Sequence, residues 1–400
     1  MLKEIVIKDF FAFNGEHHIL LNSGINLLLG INGSGKTSLI NALTFLFEGV
    51  CGSGLAELIR KWGSYNAIIN ARGDNRPECF SLTFIFDAEL LKNKFPKSPF
   101  LTDIYYKITV FPLGDGSNYT ICESLYSQNA KNTHSTYSYI EFRNGVGTIS
   151  ARDEDGSISQ ENYDKGMLSA QELSLRQINA PQRYLPAYII REAVTSMAIY
   201  GKFNIDMVRR PSEANNSKRL IRTGENIAYL YNTLNNNHSL HYEKIIKNLN
   251  NINPNYTGIG YNFFGNRLYL NLRESNLSHT IDTLHISDGT LKYMLLMGIF
   301  INPDRGYLIG LDEPESYLHP DMIRSIAKMI KEASKHSQII VATHSPLLLN
   351  AFNLEDILIF QKDKTNNTTV LRGNEAYQGE EQDLLPGQLW LNGEIGGTRW

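Results

Sequence analysis

An α/β fold that mixes parallel and antiparallel sheets and carries an inserted, largely helical lobe is the architecture this sequence predicts. Three observations carry the reading. A glycine-rich stretch, Gly30-Ile31-Asn32-Gly33-Ser34-Gly35-Lys36-Thr37, stands between an apolar run at 25–29 and a helix-like stretch at 38–47. β-rich runs then follow one another between 80 and 142. Further on, two short apolar runs of the kind buried parallel strands show, 307–311 and 339–342, flank a segment with apolar residues on one helical face.

The elements follow in order. Residues 1–21 alternate apolar and polar positions (Ile5, Ile7, then Ile19, Leu21), predicting two strands around an aromatic turn at 10–13. After the first helix and a mixed loop at 49–75, strands are predicted at 80–86, 105–111, 119–125 and 137–142, an antiparallel sheet beside a parallel one. From about Ser169 the pattern turns helical, through 188–198 and 226–234. In 261–269 the aromatic residues alternate as in a hairpin with its turn at Gly265-Asn266. No sustained heptad repeat occurs, which argues against a long coiled-coil arm. The expected division is 1–165 for the first part of a nucleotide-binding lobe, 166–283 for the insertion, 284–360 for the remainder of that lobe and 361–400 for a Gly-rich tail.

Length and composition bound the problem without deciding it. Four hundred residues fit one large α/β domain with insertions as well as two or three average domains. A net charge of −3 announces no nucleic-acid partner, though it leaves room for a local basic face. Cys51, Cys79 and Cys122 are isolated and odd in number, as in a reduced cytoplasmic protein. The N-terminal residues lack a signal-peptide core and no apolar run approaches ~20 residues, so a soluble, cytoplasmic chain without a membrane partner is expected.

Four motifs carry chemistry. In the glycine-rich stretch, glycines let the backbone wrap an anion, and the following helix adds its positive dipole end. Asn32, Gly33, Ser34, Gly35, Lys36, Thr37 and Ser38 form this cradle, with Lys36 reaching β- and γ-phosphates and Thr37 offering a ligand to Mg²⁺. The run Leu308-Ile309-Gly310-Leu311-Asp312-Glu313 ends an apolar strand in two carboxylates: Asp312 for Mg²⁺ through water, Glu313 to polarise an attacking water. Ile286-Ser287-Asp288-Gly289-Thr290 precedes an apolar helix, where a hydroxyl and glycine N–H groups make a second phosphate site; a plain helix cap from Ser287 or Asp288 is the alternative. Thr343-His344-Ser345-Pro346 ends the 339–342 run, where His344 is placed to bond a γ-phosphate and the attacking water.

Taken together, GINGSGKT at 30–37, ISDGT at 286–290, LIGLDEPESYLHP at 308–320 and THSP at 343–346 make the chain resemble an ABC-type ATPase head of the RecF, SMC and OLD-like group. The resemblance implies ATP and Mg²⁺ as ligands and a head-to-head homodimer, or a higher even-numbered oligomer, with two ATPs sandwiched. Ser287, Asp288 and Gly289 would then face the other copy's nucleotide, and residues 316–319 would form the loop that crosses the interface. Asp288 and Thr290 stand where transporter ATPases carry Gly and Gln, as in OLD-like relatives, which implies slow turnover. The glutamine of the Q-loop stays open among Gln128, Gln160, Gln171 and Gln177.

Such an engine fits a switch over a separately encoded effector such as a nuclease, in defence against foreign DNA, since no cluster of acidic metal ligands follows His344. A RecF-like DNA-maintenance ATPase and a non-hydrolysing ATP-gated scaffold are the alternatives. DNA is a possible partner through Arg209, Arg210, Lys218, Arg219 and Arg222, although a solvated loop face is the simpler explanation of that cluster. His17-His18 reads as a strand edge without a third ligand at useful spacing.

Overall fold

The computed structural model describes residues 1–71, 77–129, 132–213, 217–377, 379 and 384–396, and Trp400, which closes the tail, lies outside them. The chain divides into two compact units, each assembled from separate stretches. The first comprises Met1–Ser23, Gly30–Met197 and Phe360–Leu371; the second comprises Gly24–Leu29, Ala198–Ile359 and Arg372–Trp400.

An eight-stranded sheet organises the first unit. Its order is Glu16–Leu20, Leu2–Lys8, Phe80–Phe86, Ile104–Leu113, Asn118–Asn129, Asn132–Arg143, Val146–Arg152 and Ile158–Tyr163, and every neighbouring pair is antiparallel. Phe80–Phe86 is buried along its whole length, which suits its almost unbroken apolar sequence. The helix Lys36–Val50 packs through Phe45 onto Phe10 and Phe80, with ring centroids 6.3 and 5.8 Å apart. Strand Ile158–Tyr163 is an exposed edge of polar residues, so it lacks the alternation by which a half-buried strand is recognised.

In the second unit a mainly parallel sheet runs Met197–Tyr200, Leu308–Asp312, Gln338–Thr343, Ile25–Gly30 and Ile357–Lys362. The last of these continues past Ile359 into the first unit, where Thr368–Arg372 pairs beside it. The helical pattern at 188–198 breaks earlier than its sequence predicts: helix Leu185–Thr195 ends and Met197–Tyr200 is a wholly buried strand.

Two helices of this unit matter for the site. Asp288–Phe300 is apolar all round and buried all round, as such a helix must be. Pro320–Ala333 is strongly amphipathic, with Ile323, Ile326, Met329 and Ile330 turned to the core and Pro320 at its first position. Helices Ile227–Asn237 and Ser239–Ile252 follow one another, and the predicted hairpin is present as Tyr256–Phe264 and Arg267–Glu274 with Gly265-Asn266 between them.

Candidate functional site

Parallel register levels three strand ends at one edge of the second unit's sheet. Asp312 pairs with Ala342, which pairs with Leu28, and Thr343 pairs with Leu29. The chain therefore leaves the sheet at its carboxyl edge three times, into Gly30, Glu313 and His344. That edge is where open α/β sheets place their ligands.

In the first unit, the glycine-rich loop shows why its glycines are required. Gly33 and Gly35 hold φ of +77° and +115°, and a Cβ on Gly30 would lie 2.3 Å from the carbonyl oxygen of Phe360. Lys36 opens the helix and folds back, its Nζ donating to the carbonyls of Gly30 at 2.7 Å and Ile31 at 2.9 Å. The ammonium is thus held against the loop. Thr368 Oγ1 lies 3.0 Å from the carbonyl of Ser34 and receives a 2.9 Å hydrogen bond from Lys362 Nζ, bracing the loop from behind.

Ser34 is fully buried and its hydroxyl has no hydrogen-bond partner among the described residues. An orphaned hydroxyl in a glycine-rich turn at a helix N-terminus suits an anion that brings acceptor oxygens. Thr37, the next residue of the helix after Lys36, carries a hydroxyl, a hard oxygen donor of the kind Mg²⁺ takes. Ser38 is committed elsewhere: its Oγ accepts from the Ala12 amide at 3.3 Å.

In the second unit the turn after Asp312 is tightly specified. Glu313 sits at φ +49°, an uncommon conformation for a residue with a side chain, and its amide donates to Ala342 O at 2.9 Å. Its carboxylate faces His344 Nε2 at 3.5 Å on one oxygen, and Lys202 Nζ and Ser316 Oγ, both at 3.5 Å, on the other. Glu315 accepts from Thr343 Oγ1 at 2.5 Å and from the His344 amide at 2.9 Å, and so fixes the loop that presents the imidazole. The second oxygen of Glu315 is buried without a hydrogen bond among the described residues.

Lys292 answers that charge. It is a nearly buried cation on the apolar helix Asp288–Phe300, its Nζ donates to Glu313 O at 3.0 Å, and it lies 5.8 Å from the Tyr317 ring centroid. Burial pulls its pKa down to about 8, while the carboxylates of Glu315, Glu313 and Asp312 oppose that shift.

Around the ISDGT motif the cap and the phosphate-site geometry coexist. Ser287 is the N-cap, its Oγ accepting from the Thr290 amide at 3.3 Å. A Cβ on Gly289 would stand 2.9 Å from the Tyr317 carbonyl, so this glycine lets the 316–319 loop approach. Asp288, a negative charge at an expected anion site, is matched by Arg209, whose guanidinium donates to its carboxylate at 2.5 Å and to the carbonyls of Thr283 and Leu284 at 2.7 and 2.9 Å. Arg209 of the basic cluster is thus tied to the ISDGT motif, whereas Arg210 is exposed.

The structure brings Asp312, Glu313 and His344 together and adds Lys202, Lys292 and Glu315, which the sequence did not single out, while Arg209, expected only in a basic cluster, lies at Asp288. A signal existed for Lys292, a single charge inside the apolar run LKYMLLMGIF. None existed for Lys202, because tertiary folding alone brings it from outside the motifs. Of the four glutamines left open, Gln177 closes the 169–173 loop by donating to Ser169 O at 3.2 Å and Glu172 O at 3.0 Å. His17 and His18 engage Asn14 O, Glu4 and Glu16, and no group of three or more metal-ligating side chains occurs among the described residues. No helix among them is long and apolar enough to cross a membrane.

Residues 158–350 match the family described as "AAA domain, putative AbiEii toxin, Type IV TA system". The chain is 32% identical over 96 residues to an uncharacterized protein of Methanocaldococcus jannaschii, a match covering 24% of each chain. It is 32% identical over 111 residues to the OLD nuclease of Thermus scotoductus, covering 26% of this chain and 20% of that one. The matched stretches therefore span a quarter or less of those relatives. Among solved structures, the Smc head bound to the C-terminal winged-helix domain of ScpA aligns with TM-score 0.59 and 16% identity over 94% of this chain and 99% of that one. The Smc head with an extended coiled coil bound to the C-terminal domain of ScpA, from Pyrococcus furiosus, aligns with TM-score 0.55 and 15% identity over 92% and 95%.

Fold, motifs and likenesses together make the chain similar to the ABC-type P-loop ATPase heads of the RecF, SMC and OLD-like group. Its fold is similar to that of an SMC head.

Proposed function

We propose that this head binds MgATP, hydrolyses it slowly, and pairs with a second copy as a switch over a separately encoded effector in defence against foreign DNA. The observation that carries the reading is the Glu313 carboxylate, set on a left-handed turn at a parallel strand end with His344 beside it. In this reading Lys36 and the loop amides hold the phosphates, Ser34 gains the acceptor it lacks, and Thr37 and Asp312 provide oxygen donors to the metal. Mg²⁺ supplies positive charge to the phosphate oxygens. Glu313 takes the proton of the attacking water, and His344 hydrogen-bonds that water and holds it in line.

Pairing draws support from the surface around the ISDGT motif. Tyr317 and Leu284 are large residues left 85% and 64% exposed beside Ser287 and Gly289, as expected of a face that a second copy covers. Ser287 and Gly289 would then serve the partner copy's nucleotide. Defence is favoured over housekeeping by the resemblance to the AbiEii-type family and to an OLD nuclease.

The deciding experiment is Glu313→Gln. ATP affinity should persist, hydrolysis should slow by at least ~100-fold, the scale expected for loss of a general base, and light scattering with saturating ATP should report a dimer or higher even oligomer. A monomer would overturn the pairing. Tight ATP binding without phosphate release in the unmodified protein would favour the gated scaffold. Purified alone, the protein should cleave no DNA with Mg²⁺ or Mn²⁺, and cleavage that tracks mutations in this chain would refute a separate effector.

A further inference from the structure

A cleft of about 770 Å³ opens within the second unit, away from the motifs, between helices Ser239–Ile252 and Pro320–Ala333. Its lining positions recur at helical spacing on both walls: His241, Lys244 and Asn248 on one, Arg324, Lys328 and Glu332 on the other. It is therefore a groove running along both helices for roughly 15–20 Å, and not a compact pit. Phe300, Ile301, Met329 and Ala333 make its floor apolar.

The rim has an uneven charge. Arg324 is paired with Asp321 at 2.9 Å, and Glu332 is paired with Lys335 while its charge also acts on Lys244 and Arg305. Lys244 and Lys328 have no ion pair among the described residues. Arg305, half-buried at the end of the groove, uses only Nε, on the Asn302 carbonyl at 2.8 Å. Three cations thus face a groove whose two carboxylates are already engaged. An occupant must bring negative charge at its edges and aliphatic surface along its middle.

We propose that this groove is the docking site for an acidic amphipathic helix of a partner protein, seated with its apolar face on Phe300 and Met329 and its carboxylates against Lys244, Lys328 and Arg305. Length and charge together favour that occupant, since a helix laid in a groove contacts it at i, i+4 and i+7 over such a span. The inference rests on the reading of the chain as a switch over a separate effector. It also supplies the connection: helix Asp288–Phe300 carries the ISDGT cap at one end and the groove floor at the other, and helix Pro320–Ala333 starts directly after the 316–319 loop. A closure that shifts either helix would be felt in the groove.

The test uses the full chain and a fluorescein-labelled synthetic helix of about 16 residues, with Leu at i, i+4, i+7 and i+11 and Glu on the flanks, read by anisotropy. Saturable binding is expected, weakened at least about tenfold in Lys244→Glu/Lys328→Glu at unchanged ATP turnover. The same peptide with Lys for Glu should bind that variant and not the original. Equal binding of acidic and basic peptides, binding unmoved by the charge reversal, no saturable binding, or displacement of the peptide by ADP or an oligonucleotide from Lys36→Ala protein would each overturn the proposal. Because oligomerisation of Glu313→Gln is read separately, failure of the groove and failure of the switch are distinguishable.

Discussion

Lys292 donates from its side chain to the backbone carbonyl of Glu313 at 3.0 Å, so the helix bearing the ISDGT motif grips the turn bearing the candidate base. That turn holds a left-handed residue, a conformation that persists only where its surroundings over-determine it.

Lys292→Met should therefore lower kcat by about tenfold or more while leaving nucleotide affinity within about twofold, because the carboxylate loses its aim and the phosphate cradle is untouched. Steady-state kinetics beside equilibrium ATP titration would check it. An equal loss in both would mark a general unfolding effect.

The same lysine predicts a pH dependence of stability. Its folded pKa of about 8 lies below the 10.5 of a free lysine, so between those values the unfolded chain binds the extra proton and stability rises with pH. The rise over the whole window is on the order of 3 kcal/mol before other groups are counted. Denaturant unfolding at several pH values should show this component in the unmodified protein and its loss in Lys292→Met.

Arg209 and Asp288 should behave as a coupled pair. Arg209→Ala leaves Asp288 uncompensated beside the motif and should weaken ATP-driven pairing, and Asp288→Asn in the same chain should restore part of it. A double-mutant cycle on stability should give a coupling of about 1 kcal/mol, the scale of a partly exposed ion pair.

Gly289→Ala places a methyl carbon 2.9 Å from the Tyr317 carbonyl and should displace the 316–319 loop. The expected result is loss of the ATP-dependent oligomer with monomeric ATP binding retained, read by light scattering and calorimetry on the same sample.

What could be read in advance follows from how far each feature depends on neighbours in sequence. The Ile25–Gly30 strand, its loop and the Lys36–Val50 helix follow one another in the sequence, and that order of elements was legible from composition. So were the strand ending in Asp312 and the hairpin at Gly265-Asn266. Ile158–Tyr163 was not, because its pairing with Val146–Arg152 rests on backbone hydrogen bonds and exposes its side chains. The partners of Glu313 were half legible: His344 ends a strand that announces itself, whereas Lys202 is brought to the site only by the fold.

Strand Ile25–Gly30 lies between Gln338–Thr343 and Ile357–Lys362, so Leu27 meets its partner Val341 only after more than three hundred intervening residues have been made. During synthesis the central strand must wait, apolar and unpaired, until the ribosome has delivered Gln338–Thr343. The stretch 158–350 expressed alone would lack that strand and leave Gln338–Thr343 with an open edge. Nascent chains of this protein are thus expected to lean on holding chaperones, and truncations from the amino end to aggregate rather than fold.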